Sequence, residues 1–360
     1  LAFSLYLIPI LVIAARCEYV TPSKAFIVTW ILFLILWIIP SLINWMSARL
    51  ESDLVSLPIL AYHATVLTIL VLTLTTYLQK DPKDGFERLI RSIFWVMVPM
   101  SLLIIVDTFY LSILSPTRPR PFDIHPNVAG EIILTIMLTA LWLRNVWLKA
   151  LVVILSITTA YLLESRGTLI SCYIGVIVAF VYPWIKQHIT KHKMLVIFAG
   201  LIFVMLLFHE TILLRGAELF MIDFGTDGFA GRGAMYQLAI NGIIDRPILG
   251  NGFWVNPMGY SLPEQVTPYL NEPANVIHNA FLRIASENGL GLTILILSVI
   301  GIATYKLIRG RAYTELAVLC ACLFFLMFAT RHLTLNLMNI LLYFVLIRSL
   351  VIDKNYKKID

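Results

Sequence analysis

The sequence predicts an all-α polytopic membrane protein of about twelve transmembrane helices, with one long polar segment set among them. Three observations carry that expectation. The 360 residues are 59% hydrophobic and only 13% charged, with a mean hydropathy of +0.87. So little charge excludes a soluble domain of this size. The apolar runs are long and continuous rather than alternating, which excludes a membrane β-barrel. Helices remain, because they satisfy their own backbone in lipid. Finally, a single polar stretch, roughly Glu210 to Ile277, interrupts the greasiness.

The apolar blocks run approximately over 1–15, 27–47, 57–78, 93–113, 128–142, 147–162, 168–185, 194–209, 290–306, 312–329 and 333–351. Each is read as a span, although the first is truncated. Tyr182-Pro183-Trp184 closes the block at 168–185 with an interfacial aromatic signature. Leu1 already lies inside an apolar run, so one preceding helix is expected. Neither a coiled coil, a low-complexity tract nor an internal repeat is visible. The organisation expected is one integral membrane domain over 1–360, with a large extramembrane segment at 210–289.

Lysine and arginine set the orientation. The net charge is +6. One set of loops, which includes the C-terminal tail, holds 18 of the 27 basic residues and all eleven lysines. The other set holds Arg49, Arg118, Arg120, Arg166, Arg215, Arg232, Arg246, Arg283 and Arg331, with no lysine. The first set is therefore cytoplasmic, with the C-terminus inside, and 210–289 faces outward. Topology thins outer charge but does not purify it to arginine. Guanidinium is the group for planar, bidentate phosphate recognition, so the outer face points to a phosphorylated lipid. Headgroup anchoring is the alternative.

No metal or cofactor is expected. Cys17, Cys172, Cys320 and Cys322 lie in or beside apolar runs and read as small hydrophobes. His188 and His192 sit in a lysine-rich turn and read as solvated.

Arg166 sits in Ser165-Arg166-Gly167-Thr168, where two apolar runs meet across a short turn. A charge there is costly unless paired or bound to an anion. It is either an ion pair with Glu164 or a phosphate clamp. Arg232 sits between Gly231 and Gly233, ahead of an apolar-faced helical stretch containing Tyr236. Glycine permits close backbone approach, and a helix N-terminus attracts anions. A surface helix with a snorkelling arginine is the alternative. Pro247-Ile248-Leu249-Gly250-Asn251-Gly252 reads as a chain reversal. His278-Asn279 opens a helical stretch containing Leu282, Arg283, Glu287 and Gly289 that leads into the next span. A histidine at the membrane edge can serve as general base or as an interfacial hydrogen-bonding group. Arg120, His125 and Asn127 mark an outer loop, and Arg331 lies in the last outer turn.

At Ser165-Arg166-Gly167, Gly231-Arg232 with Met235-Tyr236, Pro247–Gly252 and His278-Asn279, the chain resembles the O-antigen ligase and polymerase superfamily of bacterial membrane glycosyltransferases. The resemblance covers roughly residues 90 to 350 and lies in the order of the motifs. It implies a GT-C-like fold in the Gram-negative inner membrane, a periplasmic active site and metal-independent, inverting transfer. The implied donor is glycan on undecaprenyl diphosphate. In the ligase branch the acceptor is a sugar hydroxyl of lipid A–core. The bilayer is the remaining partner, and no nucleic acid is implied. Arg166 and Arg232 would bind the diphosphate and His278 would be catalytic. Arg120, His125, Asn127, Tyr236, Asn279, Arg283 and Arg331 are candidate substrate contacts. A polymerase of the same superfamily stays open, as does a transporter of an anionic lipid or solute.

Overall fold

The computed structural model describes residues 24–47, 56–80, 84–114, 119–184, 239–251, 279–328 and 337–351. Among them there are helices and short turns but no strand. In chain order the helices are α1 (Lys24–Ser47), α2 (Ser56–Lys80), α3 (Asp84–Leu114), α4 (Pro126–Ala140), α5 (Val146–Leu162) and α6 (Arg166–Val176). After them come α7 (239–245), α8 (Ala280–Arg309), α9 (Tyr313–Phe328) and α10 (Leu337–Val351). The all-α class expected from the sequence is the class observed.

Among the described residues, five helices are long and apolar enough to cross a membrane: Phe26–Ile43, Leu60–Gln79, Asp84–Leu114, Gly167–Trp184 and Ala280–Arg309. Apolar stretches within α4, α5, α9 and α10 are shorter. At 15 to 17 residues these helices reach about 22–26 Å, less than a hydrocarbon core of about 30 Å. The expected runs 1–15 and 194–209 lie outside the described residues. Several apolar helices make this a multi-pass membrane protein.

Two helices begin earlier than their apolar runs. α3 starts at Asp84 rather than near 93, because its first turns are amphipathic. Phe86, Leu89 and Ile90 are buried there, while Glu87 and Arg91 pair at 2.7 Å on the polar side. α8 starts at Ala280 because Arg283 and Glu287 pair at 2.6 Å, one turn apart. Helical regularity also breaks inside two spans. A π turn at Ile177–Val181 follows α6, and α8 kinks at Gly289. The spans had read as uninterrupted, since neither break alters the hydropathy that defines them.

The chain divides into two compact units. One comprises Leu1–Ile35, Pro58–Phe180 and Leu295–Asp360; the other comprises Leu36–Leu57 and Val181–Ile294.

The first unit is built around α4, which packs on α3, α5, α6 and α10. Proline at the first helical position suits a start where no N–H is needed. From Ala129 to Ala140 every side of α4 is buried. Such burial requires its polar groups to be satisfied. Thr135 donates to the Glu131 carbonyl at 2.7 Å and Thr139 to the Thr135 carbonyl at 2.9 Å. The Glu131 carboxylate accepts the Met338 N–H at 3.2 Å, in the first turn of α10.

The two ends of α4 lie near different arginines. Near its C-terminal end, Phe86 and Trp142 meet edge to face, Arg348 lies over Phe86 at 4.1 Å, and Arg91 donates to the Trp142 carbonyl. Arg348 also pairs with Glu315 at 2.8 Å. Both arginines belong to the set read as cytoplasmic. Near the N-terminal end stand His125 and, from the opposite set, Arg120 and Arg166 at the start of α6.

In the second unit, α7 and the turn that follows it lie against the first turns of α8. Ala239 and Gly242 are buried, while Ile240, Ile244, Ile248 and Leu249 are exposed.

Candidate functional site

In the first unit the N-termini of α4 and α6 meet. Asn145 caps α5 with its side chain, but Ser165 does not cap α6. The Ser165 hydroxyl instead lies 2.8 Å from the Thr168 hydroxyl and donates to Asn127 Oδ1 at 3.4 Å. Ser165 and Thr168 are both buried. Gly130 makes this approach possible: a Cβ there would lie 2.2 Å from Thr168 Oγ1. The structure thus brings Asn127 to the Ser165-Arg166-Gly167-Thr168 motif. Arg166 is the first residue of α6, at the end where N–H groups and the helix dipole favour an anion. His125 caps α4, with Nδ1 accepting from the Asn127 N–H at 3.2 Å.

Backbone strain gathers at this junction. Phe122, Asp123 and Glu164 have φ of 50°, 56° and 51°, a region that costs non-glycine residues about 1–3 kcal/mol each. Asp107 on α3 helps hold the first of them, accepting the Phe122 N–H at 2.7 Å. Arg120, just before this turn, is exposed. Ser165 stands in the motif already singled out with Arg166, whereas Asp107 and the Ser165–Thr168 contact had no signal in the sequence.

In the second unit the site residues follow from the start of α8. Asn279 is its N-cap: Oδ1 accepts the N–H groups of Phe281 at 3.1 Å and Leu282 at 3.0 Å. His278 immediately precedes this cap in sequence. Arg283 is largely buried and donates to Glu287, so its geometry is set within the helix.

The Pro247–Gly252 motif, read as a chain reversal, does more than reverse the chain. Over 246–251 it closes on the kink of α8. Gly289 has φ 81° and ψ 171°, which interrupts the helical hydrogen bonds around it. The Leu290 N–H donates instead to the Pro247 carbonyl at 2.7 Å. The Ser286 carbonyl accepts the Asn251 N–H at 2.9 Å and its side-chain Nδ2 at 3.0 Å. Nδ2 also lies 3.3 Å from the Gly242 carbonyl. Gly250, at φ 63°, approaches so closely that a Cβ would sit 2.4 Å from the Glu287 carbonyl.

Arg232, Tyr236, His278 and Arg331 lie outside the described residues, as does the Arg166 side chain. Among the described residues, no cluster of His, Cys, Asp and Glu could hold a metal ion. Cys172, Cys320 and Cys322 are free thiols.

Residues 151–297 match the family model described as O-antigen ligase. Over this segment the chain is similar to the O-antigen ligase/polymerase superfamily. No curated protein and no solved structure matches the chain. The matched segment includes the start of α6, the 246–251 turn and the kinked first half of α8. The likeness is to a family of glycosyltransferase-like enzymes of the O-antigen ligase/polymerase kind.

Proposed function

We propose that the protein transfers O-antigen polysaccharide from undecaprenyl diphosphate to a sugar hydroxyl of lipid A–core. The transfer is inverting and metal-independent, on the periplasmic side of the inner membrane. The observation carrying this reading is that the matched segment 151–297 spans Arg166, Arg232 and His278. The uncapped start of α6 at Arg166 and the strained backbone beside it support an anion site there.

Chemically, the diphosphate leaving group gains negative charge as the glycosidic bond breaks. Arg166 and Arg232 stabilise that charge, with the first N–H groups of α6 beside Arg166. His278 takes the proton from the acceptor hydroxyl as its oxygen attacks the anomeric carbon.

Purified protein, lipid-linked polymer and lipid A–core test the reading. Arg166→Ala and Arg232→Ala should each lower transfer by about a hundredfold or more. Arg232→Lys should also fail, because an ammonium cannot make the bidentate contact. Wild-type rates in an alanine variant contradict its clamp role. The pH–rate profile tests His278. A base makes the rate rise with pH through about 6.5 and then level, whereas a cationic phosphate contact makes it fall there.

A further inference from the structure

We infer that Asn251 is a positioning residue for the transfer, acting through the backbone clasp between the 246–251 turn and the kink of α8. The inference rests on the assignment of Arg232 and His278 above. The clasp joins two stretches of chain. One is α7, which follows Arg232 in sequence, and the other is the first half of α8, which follows His278.

Three features make this more than an ordinary turn. The break at Gly289 takes the Leu290 N–H and the buried Ser286 carbonyl out of the helical pattern, and the turn bonds both, through Leu290 N to the Pro247 carbonyl and Asn251 to the Ser286 carbonyl. Ser286, Glu287 and Asn288 are all at most 4% exposed, so water does not substitute for the turn. The fit is also too close for a side chain, since a Cβ on Gly289 would lie 2.1 Å from the Ile248 carbonyl oxygen.

Within this clasp Asn251 has a distinct job. Its amide Nδ2 reaches the Ser286 carbonyl on α8 at 3.0 Å and the Gly242 carbonyl on α7 at 3.3 Å. One side chain therefore ties α7 to α8 directly, and fixes the spacing between the stretches that lead to the arginine and to the histidine. A catalytic geometry that slips by about 1 Å can lose on the order of a hundredfold in rate. The tie needs a donor, which sets what can replace it.

The test is Asn251→Asp, which keeps the shape but presents an acceptor to two carbonyls. It is assayed in purified full-length protein with lipid-linked polymer and lipid A–core, beside wild type, Arg232→Ala and Asn251→Ser. The expected result is a kcat lowered by roughly ten- to a hundredfold in the folded, monodisperse fraction, with the donor KM within about twofold of wild type. Asn251→Ser restores a donor to the Ser286 carbonyl and should recover part of that kcat. A folded Asn251→Asp protein with wild-type kcat overturns the proposal, even if it melts earlier, because the clasp would then serve stability alone. If Asn251→Asp does not fold, Asn251→Ala is read with the same two arms. Full activity in Arg232→Ala would instead overturn the underlying assignment and leave the clasp without its reacting groups.

Discussion

Two candidate regions, one in each unit, are assembled by different kinds of contact. At the start of α6, side chains make the junction: Ser165 to Asn127, Ser165 to Thr168, and Gly130 leaving room for them. At the kink of α8, backbone meets backbone, and the turn carbonyl of Pro247 takes the Leu290 N–H. Side-chain junctions can adjust by rotating a hydroxyl. Backbone junctions cannot, because the atoms in contact belong to the chain path itself. The comparison teaches that the second region should tolerate substitution far less than the first.

The largest effect should come from Gly289→Ala. It combines a φ of 81° with a Cβ 2.1 Å from a carbonyl oxygen. The expected cost is about 3 kcal/mol or more, with loss of transfer, read by thermal unfolding in detergent and by activity. A stable, active Gly289→Ala protein would show that the clasp opens freely.

An intermediate effect is expected from Gly130→Ala. Its Cβ meets hydroxyl groups rather than backbone, and Thr168 must turn aside. Overpacking of this kind costs about 1–3 kcal/mol, and transfer should fall without being abolished. If Gly130→Ala harms the protein as much as Gly289→Ala does, the proposed contrast between the regions fails.

Ser165→Ala should matter least. It removes two hydroxyl contacts, for about 1 kcal/mol in the same unfolding measurement. A much larger loss would mean that the hydroxyl serves the substrate rather than only the junction.

Much of the fold was legible because hydropathy marks helices directly. Long apolar runs announced α1, α2, α5 and α9. The opening turns of α3 were hidden, since Glu87 and Arg91 make them polar although they are helical. The burial of α4 on all sides was also hidden, because one apolar helix looks like another whether it faces lipid or protein. For the site, the motifs gave residues but not contacts. Asn127 and Ser165 are far apart in sequence, and so are Pro247 and Leu290, and no periodicity links such pairs. The Pro247–Gly252 motif therefore read as a turn, while its purpose depends on a kink that a single glycine produces.

The most direct test of the central claim is surface-glycan analysis of a deletion strain carrying wild-type or His278→Ala protein. The account predicts that wild type restores polymer on lipid A–core. It also predicts that His278→Ala leaves lipid-linked polymer of normal length that never reaches the core. Core capped with single repeat units in the His278→Ala strain would contradict it and make the protein a polymerase.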